Sequence, residues 1–226
     1  MSARAAGVAV ALELSSSPGS LAAATDDRRV ERALQSSRAH AADLLVELSS
    51  ALDELGQPVG SLTTLVVGLG PGSFTALRVA LATALGLARG VGAVLRGVPS
   101  FEALARGELR PGERGAVVLD ARSGEFYVAV YERAGSSVSV LVAPRVARAA
   151  ELGALLPKLD VLMADEATCA AAQLDPRAFP RVSAARPSAA QVLELGLEQL
   201  ASHGPHSPRE LEPLYLRAFA ATRRST

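Results

Sequence analysis

The chain has 226 residues, 49% of them hydrophobic and 20% charged, which excludes a wholly disordered polypeptide and leaves room for one large domain or two small ones. Lys+Arg and Asp+Glu both number 23, so no bulk charge drives binding to nucleic acid. The single cysteine, Cys169, excludes an internal disulfide framework and a cysteine-rich zinc site.

The first apolar run, residues 8–14, ends at Ser15-Ser16-Ser17-Pro18-Gly19 and reads as a strand followed by a turn. Glu13 interrupts it before a cleavage site could form, so a buried strand is expected rather than a secretory leader. Residues 20–25 and 28–35 complete a three-stranded meander. Over 39–55, Ala41, Leu44, Leu45, Leu48, Leu52 and Leu55 recur with a helical period, and Gly56 and Pro58 stop the helix. A nearly continuous apolar run at 62–67 predicts a central strand. Gly68-Leu69-Gly70-Pro71-Gly72 leads from it to Ser73, the expected N-cap of a helix over 74–89 closed by Gly90. The apolar stretch 76–95 contains Arg78 and Arg89 and is not expected to span a membrane. A soluble, cytoplasmic protein is expected.

A strand over 93–98 ends the first half, residues 1–99. The second half, 100–226, repeats the order. A short helix at 101–106 and a Pro/Gly-rich loop at 110–115 precede a hairpin of 116–121 and 126–132, turning at Ser123-Gly124. A strand at 138–142, a helix at 145–156, a strand at 161–164 and helices at 166–173 and 188–202 follow, with an extended piece at 214–216. Two α/β halves in one order predict a duplicated fold with a cleft between them.

The loop from Gly68 to Ser73 opens a helix, where free N–H groups could cradle an anion. It lacks the lysine of a phosphate-binding loop, and the chain's one lysine is Lys158. The other reading of Gly70, Gly72 and Ser73 is a tight strand-to-helix turn with a serine cap. Glu13 is either a solvated strand end or a carboxylate for hydrated Mg²⁺, and one carboxylate is a poor magnesium site. Asp120 opens the second hairpin in a similar place, so the two could face each other across the cleft. Ser73 lacks the Gly-x-Ser-x-Gly of a hydrolase elbow, since position 75 is Thr. His40 has Leu44 where a second histidine ligand would stand, and His203 and His206 flank Gly204-Pro205 in an expected solvated loop. Cys169 reads as a small buried residue, and Arg217, Arg223 and Arg224 form a small basic tail.

The helix over 74–89 carries two apolar stripes. Ala76, Ala80, Ala84 and Ala88 form one row, and Phe74, Leu77, Leu81 and Leu85 the other. A helix lying on a sheet needs one such stripe. The alanine row, which allows close approach, is expected to be covered by a partner, with the helix over 39–55 covering part of it.

Gly70-Pro71-Gly72-Ser73-Phe74-Thr75-Ala76-Leu77-Arg78-Val79 closely resembles the signature of the bacterial TsaB family, also called YeaZ. Three further stretches resemble the family in the same order: Ser37-Arg38-Ala39-His40, Leu119-Asp120-Ala121-Arg122-Ser123-Gly124-Glu125-Phe126-Tyr127, and Glu212-Pro213-Leu214-Tyr215-Leu216-Arg217. The resemblance spans nearly the whole chain. It implies an α/β fold of two ribonuclease-H-like lobes of the actin/hexokinase/Hsp70 (ASKHA) type, with mixed sheets flanked by helices. Residues 1–99 would form the lobe with the partner-binding helices, and 100–226 a smaller lobe whose last segment returns to the first.

The resemblance also implies a role: a non-catalytic scaffold and activator working with a TsaD-like catalytic subunit and a TsaE-like ATPase. That complex transfers threonylcarbamoyl from threonylcarbamoyl-adenylate to the adenosine next to the anticodon in tRNAs reading codons that begin with adenine. ATP and Mg²⁺ would then belong to partner subunits, with no cofactor on this chain alone and tRNA met through the complex. TsaB-like proteins pair with themselves or with TsaD through the two N-terminal helices, which would place Leu44, Leu48, Leu52, Ala76, Ala80, Thr83, Ala84 and Leu87 at the contact. The chain departs from the family where Ala76 and Ala80 replace glycines, where Glu13 replaces an aspartate, and at Ala164-Asp165-Glu166-Ala167. These departures weigh against independent nucleotide binding, and make Glu13, Gly70, Gly72, Ser73 and Asp120 a degenerate site. The competing reading is an independent small-molecule kinase or ATPase of the same fold. A protease has no nucleophile–base pair to support it.

Overall fold

Alternation along β1 (Val8–Glu13) sends Val10 and Leu12 to one face of a sheet and Ala11 to the other, all wholly buried. The computed structural model describes residues 7–34, 41–156 and 158–216; residues 37–40 and Arg217, Arg223 and Arg224 therefore lie outside the described part. After β1 come β2 (Ser20–Ala24), β3 (Arg29–Ala33), α1 (Ala41–Leu55), β4 (Leu62–Gly68), α2 (Phe74–Val91), β5 (Val94–Val98) and α3 (Ser100–Glu108). The second series is β6 (Arg114–Arg122), β7 (Glu125–Ala134), β8 (Ser137–Arg148), α4 (Ala149–Leu155), β9 (Val161–Met163), α5 (Glu166–Ala171), β10 (Arg181–Ser183) and α6 (Ala189–His203).

The two series build the same sheet twice, in the orders β3-β2-β1-β4-β5 and β8-β7-β6-β9-β10. In each, the first three strands form an antiparallel meander and the last two add in parallel. On one face of the first sheet lie α1 and α2, burying Leu44, Leu48, Leu52, Ala80 and Ala84 against Val10, Leu12, Leu65 and Val67. Its other face meets α6 through Val192, Leu193 and Leu195. Helix α3 is wedged between the sheets, with Phe101 and Leu104 packed against Val117, Ala129 and Tyr131. The outer face of the second sheet is closed by α4 and α5 through Leu152 and Cys169. This is the two-lobed α/β architecture of the ASKHA type, with mixed sheets flanked by helices.

Two expected boundaries moved and one strand was not foreseen. The helix expected over 145–156 begins only at Ala149, because β8 continues to Arg148 and pairs Arg145 with Val128 and Ala147 with Phe126. Ladder hydrogen bonds and the buried Ala147 outweigh the helical propensity of the segment. Strand β10 was not expected; its three residues carry one apolar side chain, too few for a pattern. Helix α2 passes through Gly90 and closes at Gly92, which takes φ 75°, a left-handed conformation that side chains resist.

Candidate functional site

The glycine-rich turn joins β4 to α2 at the end of β1, so Glu13, Gly68, Gly70, Gly72 and Ser73 are brought together. Glu13 is wholly buried. Its Oε1 accepts the Ser15 N–H at 2.6 Å, while Oε2 has no hydrogen-bond partner. Oε2 occupies the space that a Cβ at position 68 would fill, and Ser100 Oγ is 2.9 Å from that same point. Burial pushes the Glu13 pKa above the ordinary carboxylate value, against the opposing pull of the Ser100 hydroxyl and of the Ser15 hydroxyl and N–H. The expectation of a solvated strand end is thus corrected: absence of a side chain at Gly68 opens a slot, and Glu13 turns inward to fill it. Asp120 is exposed, and its Oδ1 accepts the Arg122 N–H at 2.7 Å.

The turn is largely engaged within the chain. Gly70, at φ 90°, donates its N–H to Ser100 Oγ at 3.0 Å. Ser73 occupies the N-cap position of α2 without the expected side-chain cap, and its N–H points to Ser15 O at 3.4 Å. Gly72 lies so close to Ser15 that a Cβ there would be 2.6 Å from the Ser15 Cα. From the second sheet, Tyr127 donates its hydroxyl to Gly72 O at 3.3 Å. Two N–H groups that the anion-cradling reading needs free are therefore committed inside the fold, as the tight-turn reading requires. Ser15, Ser100 and Tyr127 gave no sequence signal for these contacts, because each acts on a residue distant in the chain or on backbone.

The start of α2 carries an aromatic cluster. Arg78 lies over the Phe74 ring at 5.1 Å, and Tyr215 meets the same ring at 4.8 Å between centroids. Tyr215 arrives on the segment after α6, where Leu214 donates its N–H to Leu69 O at 2.8 Å. This segment carries His206, which is not the solvated loop residue expected: its Nδ1 accepts the Gly97 N–H at 3.1 Å. His203 is exposed and its Nδ1 sits 2.7 Å from Ser202 Oγ.

The expected partner face requires correction. Leu44, Leu48, Leu52, Ala80 and Ala84 are all 2% exposed or less, packed in the chain's own core. The alanine row, not the leucine row alone, is what lets α2 lie close to its sheet, since small side chains shorten the interaxial distance. Ala76, Thr83 and Leu87 remain half-buried on the flank. Of the eighteen residues of α2 only Leu77, Ala80, Ala84 and Ala88 are buried. The outward face presents Ala82, Gly86 and Gly90 between Arg78 and Arg89, with half-buried Val79, Leu81, Leu85 and Val91 alongside. On the neighbouring α1, Leu45 and Val46 are 46% and 67% exposed. Helix α2 is long and apolar enough to cross a membrane by length and composition.

Other candidates fall away from this region. Cys169 is buried, and burial together with Asp165 and Glu166 raises its thiol pKa. Among the described residues no group of three His, Cys, Asp or Glu side chains is placed to hold a metal ion. An open pocket of about 410 Å³ lies between β2–β3 and the linker into α6, lined in part by Pro18, Glu31 and Arg186, and contains none of the expected site residues.

A family model described as TsaD, tRNA N6-adenosine threonylcarbamoyltransferase, matches residues 34–205. The tRNA threonylcarbamoyladenosine biosynthesis protein TsaB of Escherichia coli is 35% identical over 98 residues, which cover 42% of this chain and 42% of that protein. The match thus spans less than half of that relative's length. An uncharacterised protein of Mycobacterium tuberculosis is 34% identical over 187 residues, covering 83% of this chain and 79% of its own length. The solved structure of YeaZ from Pseudomonas aeruginosa superimposes with a TM-score of 0.78 at 22% identity, covering 93% of this chain and all of that one, a likeness of fold.

Proposed function

The chain belongs to the TsaB/YeaZ family, within the wider family of the TsaD model, and from that premise we propose that it serves tRNA threonylcarbamoyladenosine biosynthesis as a non-catalytic subunit. It acts as a scaffold that docks a TsaD-like catalytic subunit, works alongside a TsaE-like ATPase, and pairs with itself when that subunit is absent. The observation that carries this reading is the outward face of α2, an eighteen-residue helix with four buried residues. Ala82, Gly86 and Gly90 form an exposed small-residue strip on that face that allows another helix to approach closely, continued on α1 by the exposed Leu45 and Val46, and Arg78 and Arg89 on the same helix disfavour a lipid environment.

Glu13 supports the absence of chemistry. A carboxylate sealed under Gly68 and held by the Ser15 N–H is not presented to a substrate or a hydrated cation. An independent kinase or ATPase of the same fold needs such a group in the open cleft. Depletion of the protein followed by nucleoside analysis of tRNA tests the role. Loss of threonylcarbamoyladenosine is the expected result, and an unchanged level overturns it.

A further inference from the structure

The edge of the first sheet is held by a histidine side chain where a strand would hold it with backbone. Strand β5 has β4 on one side only. On its open side, Leu95 O accepts the His206 N–H at 2.8 Å, and the Gly97 N–H donates to His206 Nδ1 at 3.1 Å. A neighbouring strand would supply one N–H and one carbonyl to these two groups; His206 supplies one N–H and an imidazole nitrogen. The segment it begins, residues 204–216, then seats Leu211 in the core and ends with Tyr215 on Phe74. A Cβ at Gly97 would come within 2.5 Å of Leu211 Cδ2, so the strap is fitted closely to the bare backbone of β5.

We propose that His206 is an acid-opened latch that holds the 204–216 strap on the free edge of β5. An imidazole accepts a hydrogen bond only while neutral, with its proton on Nε2; the imidazolium donates from both nitrogens and turns the Gly97 contact into N–H facing N–H. The charged groups acting on His206 are the Arg96 guanidinium of β5, which opposes protonation, and the Glu210 carboxylate on the strap, which favours it. Arg96 is fixed in place, donating to Gly204 O at 3.0 Å and to Gln199 Oε1 of α6 at 3.2 Å. Burial and Arg96 together lower the His206 pKa in the closed strap below its ordinary 6.5. The closed state therefore binds the proton less tightly than the open one. The latch is fully closed above the open-state value and is weakened as pH falls through that value toward the lower closed-state one.

Amide hydrogen exchange of the full chain, corrected for intrinsic rates, reads the latch at Gly97. A several-fold loss of Gly97 protection is expected between about pH 7.5 and about pH 5.5, bounded at about tenfold per pH unit for one proton. In His206→Asn the amide oxygen stands where Nδ1 stood and does not titrate, so protection stays high and flat. His206→Ala lowers it at both pH values, and His203→Asn keeps the wild-type response. Protection that is constant in the wild type, or that falls equally in His206→Asn, overturns the proposal.

Discussion

Gly68 and Glu13 are fitted to each other: the carboxylate Oε2 stands in the space a side chain at position 68 would need. Gly68→Ala forces the buried carboxylate out of its slot and also crowds Ser100 Oγ, 2.9 Å from the added methyl. A loss of about 2 kcal/mol is expected by urea unfolding, within the range for overpacked cores. The loss shrinks when Glu13 is also alanine, because the competing oxygen is gone. Costs that add in the double variant would mean that the two residues do not constrain each other.

The same carboxylate makes stability depend on pH. Its folded-state pKa is raised by burial, so the folded protein holds this proton more tightly than the unfolded chain, whose value is 4.5. The contribution is fully present below that value and is lost as pH rises through the raised one. Glu13→Gln keeps an acceptor for the Ser15 N–H and removes the titration. Relative to wild type, the variant should gain stability as pH rises above the unfolded value of 4.5 and level off once the raised folded-state value is passed. Denaturation midpoints that run parallel across this range would show that Glu13 is not the group responsible.

The duplication could be read from the sequence because hydrophobic runs and Gly/Pro breaks recur in one order, and the central strands β1, β4 and β6 are apolar enough to need no tertiary context. Edges were harder. Strand β10 and the second half of β8 are specified by the strands beside them, and Arg145 and Arg148 gave that segment a helical look. The turn at Gly70–Ser73 was legible as a motif, but not its occupancy by Ser15, Ser100 and Tyr127, which come from three other places in the chain. On α2, periodicity revealed two apolar stripes and could not say which one met the sheet. The alanine row meets the sheet because a helix with small side chains packs closer to its own strands, while Leu77 of the other stripe is buried too and Leu81 and Leu85 pack half-buried against the same core, so the outward face is a third strip of Ala82, Gly86 and Gly90.

Close packing also reverses an ordinary propensity effect on α6. A Cβ on Gly196 would overlap Val66 Cγ1 and come 2.8 Å from Cγ2. Glycine-to-alanine in a helix interior usually stabilises by about 0.8–1.0 kcal/mol. At Gly196 the clash with β4 outweighs it, and a net loss of about 1–3 kcal/mol is expected. At Gly86 and Gly90 of α2 nothing lies within 4 Å of the added methyl, so the same change should raise the melting temperature. Destabilisation at all three positions would remove the distinction between the two helices.

The outward face of α2 and its alanine row can be separated by where a charge is placed. Ala82 is exposed and Ala84, two residues on, is wholly buried. Ala84→Glu puts an unpaired carboxylate among Leu65 and Val67 and should prevent folding, since such burial costs several kcal/mol. Ala82→Glu leaves the melting temperature within a degree or two, because its side chain reaches water. Its effect falls on association instead. A carboxylate desolvated in an apolar contact should weaken binding to the TsaD-like subunit, and self-association, by about a hundredfold, equivalent to about 2.8 kcal/mol. Val46→Glu on α1 gives the same result if the contact extends to the neighbouring helix. Equilibrium sedimentation of each variant, alone and with the partner, measures the change. Undiminished association in a folded Ala82→Glu protein would move the docking surface off this helix, and with it the physical basis for a scaffold.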